Sequence, residues 1–385
     1  MSTTQAVPQA KNTAMQSELY MSFELGDKSW KLTVSDGQRG PSRYSVRAGD
    51  TEAVLDCVRR AKERCRLSPQ AAVHSCYEAG RDGWWLHRWL TQQGIDNVVV
   101  DAASIEVNRR VRRPKTDRLD GDKLLTMLRR HHTGEHVWSV LREPTPDQED
   151  ARRAHRELAR LTQERVAHMN RIRSLLVLHN LRPQVVIGGR DWANWWANHR
   201  GLVPPMLCNE IERECIRLAL VKQQTRVLES ARRDELAEGK HPLVAQLARL
   251  RAIGPKGAWV LVKEVFGWRR FANRREVAGC LGLTPTPYDS GDSQIEQGIR
   301  KAGNRRARTM LVELAWRWLR LQPNSVLTQW FNRRFTGNGK PMRRVSIVAL
   351  ARRLAIALWR YLEHGAIPAG ALLRPATPCW ARNTF

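Results

Sequence analysis

The chain has 385 residues, of which 65 are Lys or Arg and 38 are Asp or Glu, so its formal charge at neutral pH is +27. A chain of this length forms two or three domains with separate cores, and a charge of this size attracts DNA or RNA. The seven cysteines form no Cys-x-x-Cys pair, which argues against a zinc finger or a disulfide framework. No apolar run approaches the roughly 20 residues of a membrane span. We therefore expect an intracellular protein that contacts nucleic acid without a membrane, and composition leaves open a binder that performs no chemistry.

The N-terminal part of the sequence alternates between strand and helix patterns. Residues 1–18 are polar and predict a disordered tail. The predicted elements that follow are, in chain order, strands at 20–25 and 30–34, a helix at 51–66, strands at 71–77 and 97–100, and a helix from Asp120. Strands first, then alternating helices and strands, predict a mixed α/β layer over residues 19–140.

The middle of the chain, residues 147–238, has the pattern of long charged helices. Two helices are predicted, at 147–180 and 210–238, each with a narrow apolar stripe between many arginines. Such stripes predict an antiparallel or intermolecular coiled coil. A packed helical domain without supercoiling is the open alternative.

The C-terminal part, residues 241–365, is predicted to be an all-α domain followed by a tail at 366–385. Residues 250–258 have the pattern of helix, glycine turn and helix, which resembles the helix–hairpin–helix element of DNA-binding proteins. In that element Gly254 would bring backbone amides close to a phosphate, with Lys256 beside them, and no base would be read. The fold class predicted for the whole chain is therefore α/β plus all-α.

Four acids stand at the ends of predicted elements. Glu24 and Glu78 end or follow strands, and Asp117 and Asp120 flank the start of a helix, where they share one face. Four carboxylates from such positions suit two Mg²⁺ ions around a scissile phosphate, because Mg²⁺ prefers hard oxygen ligands. The alternative is that Asp117 and Asp120 are acids that cap a helix.

Basic residues are concentrated in two short segments. One lies beside the acids and the other follows a loop at 288–292; their members are Arg109, Arg110, Arg112, Arg113 and Lys115, and Arg300, Lys301, Arg305, Arg306 and Arg308. Both segments suit contacts with a nucleic-acid backbone, whose energy is mainly electrostatic. A solvated basic surface is the alternative reading of each.

Two motif sets, in this order along the chain, resemble one known family. The first is Lys-Thr-Asp-Arg-Leu-Asp at 115–120, after the strands that carry Glu24 and Glu78. The second comprises Ile-Gly-Pro at 253–255, Ala-Gly-Cys-Leu-Gly-Leu-Thr-Pro at 278–285, Ser-Gly at 290–291 and Lys-Ala-Gly-Asn-Arg-Arg-Ala-Arg at 301–308. Over about residues 19–365 the chain resembles the insertion-sequence 110 family of transposases, which includes the pilin-gene invertases and the bridge-RNA-guided recombinases.

The resemblance implies a mechanism and its partners. Glu24, Glu78, Asp117 and Asp120 would form the Mg²⁺ site of a RuvC-like (RNase H-like) DEDD domain, and Ser290 of the C-terminal serine transposase domain would be the nucleophile that joins DNA covalently. The implied partners are DNA, a guide (bridge) RNA encoded by the element, and further copies of the chain in a dimer or tetramer. The implied location is the bacterial cytoplasm, at the nucleoid.

Two points in the resemblance leave alternatives open. The family has Asp at its first acidic position, whereas this chain has Glu24, with Asp27 as a substitute in the following turn; Ser293 is a rival to Ser290 but lacks the following glycine. A RuvC-like nuclease that hydrolyses DNA with metal-activated water is therefore the second hypothesis. A catalytically inactive nucleic-acid-binding protein is the third.

Overall fold

The computed structural model divides the chain into two compact units, Met1–Glu143 and Pro144–Phe385. It describes residues 18–101, 104–105, 117–290, 293–299, 303–335 and 340–374, and within these ranges it describes the backbone alone at 117–119, 286–290, 293–297 and 340–344. The predicted tail at 1–18 and the predicted basic segment at 109–115 therefore lie almost wholly outside the described residues. Within the described part of the chain, no helix is both long and apolar enough to cross a lipid bilayer.

The first unit contains a mixed five-stranded sheet. Its strands are β1 (Leu19–Leu25), β2 (Ser29–Ser35), β3 (Ser42–Arg47), β4 (Val73–Glu78) and β5 (Asp96–Val100), in the spatial order β3-β2-β1-β4-β5. The first three strands are antiparallel neighbours, while β4 runs parallel to both β1 and β5. The mixed α/β prediction for this part of the chain is confirmed.

Helices cover both faces of this sheet. Successive side chains of a strand point to opposite faces, so each strand can contact helices on both sides. Along β1, Leu19, Met21 and Phe23 belong to the core that the sheet forms with α1 (Thr51–Cys65) and α2 (Trp85–Gln92). On the other face, a smaller core joins β4 and β5 to α3 (Asp117–His132), and Tyr20 packs against it. Residues of opposite parity on β1 therefore face different helices.

The second unit begins with helices that pack along each other. They are α4 (Pro146–Asp150), α5 (Arg153–Val177), α6 (Trp192–His199) and α7 (Pro205–Ala237). His168 contacts Glu214 at 2.6 Å and Arg171 contacts Glu210 at 2.7 Å, so α5 and α7 are antiparallel. The two predicted long helices are thus present, although the first is divided after α4. Supercoiling of the pair stays a prediction.

The rest of the second unit surrounds the largest core of the described residues. Its elements are α8 (Pro242–Ala248), α9 (Pro255–Leu261) with a π-helical turn at Val262–Phe266, α10 (Arg274–Cys280), β6 (Pro285–Ser290), β7 (Ser293–Ile299), α11 (Arg305–Leu321), α12 (Val326–Phe335) and α13 (Lys340–His364). The region is not all-α, because β6 and β7 form an antiparallel hairpin. Pro285 and Pro287 disfavour a helix in this segment.

Candidate active site and nucleic-acid interface

Glu24 and Glu78 stand side by side on neighbouring parallel strands. Phe23 of β1 is in register with Tyr77 of β4, and each glutamate is the next residue of its strand. Adjacent strands lie about 4.8 Å apart, and residues in register point to the same face. That face is the one covered by α3, where Glu24 is half-buried and Glu78 is exposed. Two of the four predicted acids therefore lie at the carboxyl ends of the neighbouring strands β1 and β4.

The first turn of α3 lies over the same end of β1. The Oγ of Ser22 donates a hydrogen bond of 2.9 Å to the carbonyl oxygen of Gly121. Glycine is needed at this position, because a Cβ on residue 121 would collide with Oγ1 of Thr33 on β2. Asp120 precedes this close contact, and Asp117 begins the helix. The structure thus brings Asp120 to the edge that carries Glu24, while the side chain of Asp117 is outside the described side chains.

Asp27 lies in a different environment from Glu24. It follows β1 in the turn before β2, its side chain is 80% exposed, and it pairs with Arg81 at 2.9 Å. Glu24 is within β1 and opposite Lys31 in the register with β2. Of the two candidates for the first acid, Glu24 is the one that shares a face with Glu78.

Ser290 and its rival Ser293 are partners across the end of one hairpin. Ser290 is the last residue of β6, Ser293 is the first residue of β7, and the two are in register. Both belong to the second unit, whereas the acids belong to the first. The meeting of Ser290 with the acids therefore stays a prediction.

Several basic side chains of the second unit line a cavity of about 800 Å³. The cavity is formed by α5, α7, α9 and α11, and its basic residues are Arg232, Arg233, Lys256, Arg305 and Arg306. Three of these were predicted to bind nucleic acid, and Gly254 caps the start of α9 beside them. The two arginines of α7 were missed, since nothing in a helix with many arginines distinguishes them.

The indole of Trp259 forms part of the same cavity wall. The guanidinium of Arg232 lies 4.4 Å from the centre of the Trp259 ring, a distance at which a cation is attracted to the ring face. Burial lowers the pKa of Arg232 to about 10, so this side chain remains charged at neutral pH. Trp259 itself is only 3% exposed, so its ring supports Arg232, and the positive charges of the cavity suit a phosphate backbone.

A fully buried carboxylate holds the start of α11 in place. Glu264, which has no exposed surface, accepts hydrogen bonds from His155 at 2.7 Å, from both Nε and Nη2 of Arg156 at 2.8 and 2.9 Å, and from Asn304 at 2.9 Å. Burial raises the pKa of Glu264, but the hydrogen bonds outweigh it and hold the pKa well below its usual range. Asn304 also caps α11 by accepting from the amide of Ala307.

The remaining predicted basic residues fall into two groups. Arg308 donates a hydrogen bond of 2.9 Å to the carbonyl oxygen of Leu281, and burial together with nearby Arg305 lowers its pKa. Arg308 therefore has a structural contact as well as its charge. The others lie outside the described residues, namely Arg109, Arg110, Arg112, Arg113, Lys115, Arg300 and Lys301.

Comparison with known proteins assigns the chain to a family. The model of the IS116/IS110/IS902 transposase family matches residues 244–329. The protein y4rJ of Sinorhizobium fredii (strain NBRC 101917 / NGR234), named as a transposase, is 38% identical over 379 residues, which is 92% of this chain and 94% of that protein. This chain belongs to the IS116/IS110/IS902 family of transposases.

More distant relatives support the same assignment. The transposase for insertion sequence element IS1328 of Yersinia enterocolitica is 25% identical over 226 residues, which is 58% of this chain and 66% of that protein. The y4qE protein of Sinorhizobium fredii, also named as a transposase, is 29% identical over 303 residues. The chain is therefore a transposase of an insertion sequence element, and DNA is its partner.

Proposed function

We propose that this transposase cuts and rejoins DNA by using Ser290 as the nucleophile and Glu24, Glu78, Asp117 and Asp120 as the acidic site. The observation that supports this proposal best is the alignment of Glu24 with Glu78 on neighbouring parallel strands, with the first turn of α3 over the same edge. Carboxylates at the ends of neighbouring elements in a protein of charge +27 would have a more specific use than general surface charge.

The proposed reaction has two steps at one phosphorus atom. In the first, the Oγ of Ser290 forms a bond to phosphorus, the bond to the leaving strand breaks, and that strand departs with a free hydroxyl group once it has taken up a proton. The serine proton passes to a carboxylate or to water. In the second step the hydroxyl group of another strand attacks the phosphoserine and releases Ser290, so the number of phosphodiester bonds is conserved.

The acidic site has the donor set of a magnesium site. All four of its members supply carboxylate oxygens, which are the ligands that Mg²⁺ prefers, and the exposure of Glu78 leaves room for water and phosphate. When bound there, Mg²⁺ would stabilise negative charge on the phosphate oxygens and favour the ionised form of a nearby hydroxyl group. The carboxylates themselves would hold the ions and could accept the serine proton.

Nucleic acid would be held mainly by the second unit. The cavity that contains Lys256, Arg305 and Arg306 is large enough for a nucleotide, and its positive charges suit a phosphate backbone. We include a guide RNA among the proposed ligands, because the family resemblance of the chain implies one. An oligomer in which one copy supplies the acids and another supplies Ser290 would explain why the two halves of the chemistry lie in separate units.

A metal-dependent nuclease is the second candidate. In that mechanism the acids activate water and Ser290 has no chemical role, so the pairing of Glu24 and Glu78 supports it equally well. An inactive nucleic-acid binder is the third candidate, because Glu24 departs from the Asp that is usual in the family.

The three candidates differ in the covalent intermediate. We expect the wild-type transposase, incubated with DNA that contains the ends of its element and with Mg²⁺, to form a protein–DNA adduct that resists denaturant. Ser290→Ala should eliminate the adduct, and Ser293→Ala, at the neighbouring position of the hairpin, should retain it. Cleavage without an adduct would favour the nuclease, and an adduct that persists in Ser290→Ala would contradict the serine mechanism.

A further inference from the structure

A second cluster of ligand-type side chains lies at the opposite end of the sheet from the acids. Glu18 immediately precedes β1, His74 is the second residue of β4, and His132 is the last residue of α3. Oε2 of Glu18 is 3.2 Å from Nε2 of His132 and 3.6 Å from Nε2 of His74. One ligand atom from each residue lies within 4.8 Å of the other two, so three elements converge on one point.

The hydrogen bonds around His74 leave its Nε2 with a lone pair. Nδ1 of His74 is 2.9 Å from Oδ2 of Asp96, and a carboxylate can only accept, so the proton of the neutral ring is on Nδ1. Nε2 is buried and has no hydrogen-bond partner among the described residues, and the residue as a whole is 8% exposed. The lone pair of Nε2 and the Glu18 oxygen repel each other, and a metal ion bound by both atoms would remove that repulsion, as a second proton on the ring would.

The distances fit a metal ion of the zinc class. Tetrahedral bonds of 2.0–2.1 Å place neighbouring ligand atoms about 3.3 Å apart, and the two measured separations from Glu18 lie on either side of that value. Two imidazole nitrogens with one carboxylate oxygen favour Zn²⁺, Co²⁺ or Ni²⁺ over Mg²⁺. We propose that Glu18, His74 and His132 bind one divalent ion of this class, with water at the fourth position.

The surrounding side chains orient the proposed ligands. Asp96 fixes the ring of His74, as carboxylates commonly do for metal-bound histidines. The hydroxyl group of Tyr20 donates a hydrogen bond of 2.7 Å to Oε2 of Glu18. The rings of His74 and His132 pack with their centres 3.9 Å apart, so the two side chains would rotate apart slightly to bind one ion.

The ion would fasten α3 to the sheet. It would connect the start of β1 and the start of β4 with the last residue of a helix whose first turn carries Asp117 and Asp120. By connecting these elements, the ion would position the acidic end of α3 from a distance. This proposal does not rest on the serine mechanism, since it concerns different residues and a different metal.

The test is a titration of tag-free, chelator-treated transposase with Co²⁺, followed by the visible absorbance of tetrahedral Co²⁺. We expect one ion per chain at this site, displaced by Zn²⁺ and unaffected by millimolar Mg²⁺. His132→Ala should weaken binding by at least about tenfold, since the loss of an outer-shell partner alone costs that much. Zn²⁺ should raise the thermal midpoint of the wild type and leave that of His132→Ala unchanged.

Two control variants separate this site from other metal binding. His131→Ala removes the neighbouring histidine, whose ring packs 5.8 Å from that of Trp138, and should keep the Co²⁺ spectrum. Asp120→Asn alters the acidic site and should keep it too. If Co²⁺ gives no tetrahedral spectrum, or if His132→Ala binds it as tightly as the wild type does, the cluster is bridged by a proton and the proposal is wrong.

Discussion

Glu24 differs from the aspartate that is usual at its position in the family by one methylene group. The longer side chain moves the carboxylate by on the order of 1 Å, enough to matter in a tightly built site. Glu24 nevertheless lies beside Glu78 on the face covered by α3, whereas Asp27 is in a solvent-exposed turn and pairs with Arg81. The side-chain environment therefore favours Glu24 as the functional acid.

Substitutions at position 24 should reveal its role directly. We expect Glu24→Gln, which keeps the size of the side chain but removes its charge, to abolish DNA cleavage in the presence of Mg²⁺. Glu24→Asp should cleave at least as fast as the wild type, because the shorter acid restores the usual geometry. Asp27→Asn is the matched control and should remain active. Full activity in Glu24→Gln with loss in Asp27→Asn would transfer the role to Asp27.

Sequence analysis found some candidate site residues and missed others. The residues it found are marked by patterns within their own short segments, and the residues it missed are not. Glu24 and Glu78 could be predicted because each stands at the end of an apolar strand pattern that is visible within a few residues. Glu18, His74 and His132 could not, because each is unremarkable in its own segment and only the pairing of β1 with β4 and the packing of α3 bring them together.

At the scale of elements, one buried carboxylate connects helices that are distant in sequence. Glu264 lies in the π-helical turn after α9, His155 and Arg156 belong to α5, and Asn304 caps α11. Because the hydrogen bonds lower the pKa of Glu264, the ionised form stabilises the folded state. This contribution is complete above the ordinary glutamate pKa of about 4.3 and is lost as the pH falls toward the lower pKa of the folded state.

Removal of the Glu264 charge should destabilise the second unit. We expect Glu264→Gln to lower the free energy of unfolding at neutral pH by about 1.5–3 kcal/mol, the usual worth of hydrogen bonds to a charged group, since the Arg156 side chain left behind is 44% exposed. As the pH falls below about 4.3, the stability of the Glu264→Gln variant should decrease less than that of the wild type. Denaturant titrations at several pH values measure both effects. Glu313→Gln, at an exposed position of α11, is the control, and an equal loss there would contradict this account.

The hairpin of β6 and β7 shows a limit of prediction at this scale. The segment at 285–299 has two prolines and no long apolar run, so its local pattern resembles a loop. Its strands pair with each other, and composition alone does not indicate which segments will pair. The long helices α5 and α7 were predictable because their periodic patterns extend over many turns.

For the whole molecule, the division of the proposed chemistry between two units makes assembly a central question. The acids lie in Met1–Glu143 and Ser290 lies in Pro144–Phe385. Along α7, Ile216, Leu220 and Val227 are 69%, 54% and 62% exposed, and their spacing of four and seven residues aligns them on one side of the helix. An apolar row of this kind is typical of a helix that packs against another copy.

Mixing of two inactive variants should show whether the active site is shared between copies. A Ser290→Ala protomer keeps its acids, and an Asp117→Asn protomer keeps its serine, so a mixed assembly with shared sites contains some complete sites. We expect the mixture to recover part of the cleavage activity, although each variant alone has none. Leu220→Lys in both protomers should reduce the recovery if α7 joins them. A mixture without any recovered activity would indicate a site completed within one chain.

The contacts of Glu264 also decide where this transposase can be divided. The segment that matches the family model, residues 244–329, contains Glu264 and Asn304 but lacks His155 and Arg156. A fragment cut at that boundary would retain the buried carboxylate of Glu264. It would lose His155 and Arg156, which donate hydrogen bonds to that carboxylate. We therefore expect residues 244–329 alone to be less stable than the same residues within the whole second unit. A chimera that transfers this segment should therefore include α5, whose His155 and Arg156 contact Glu264.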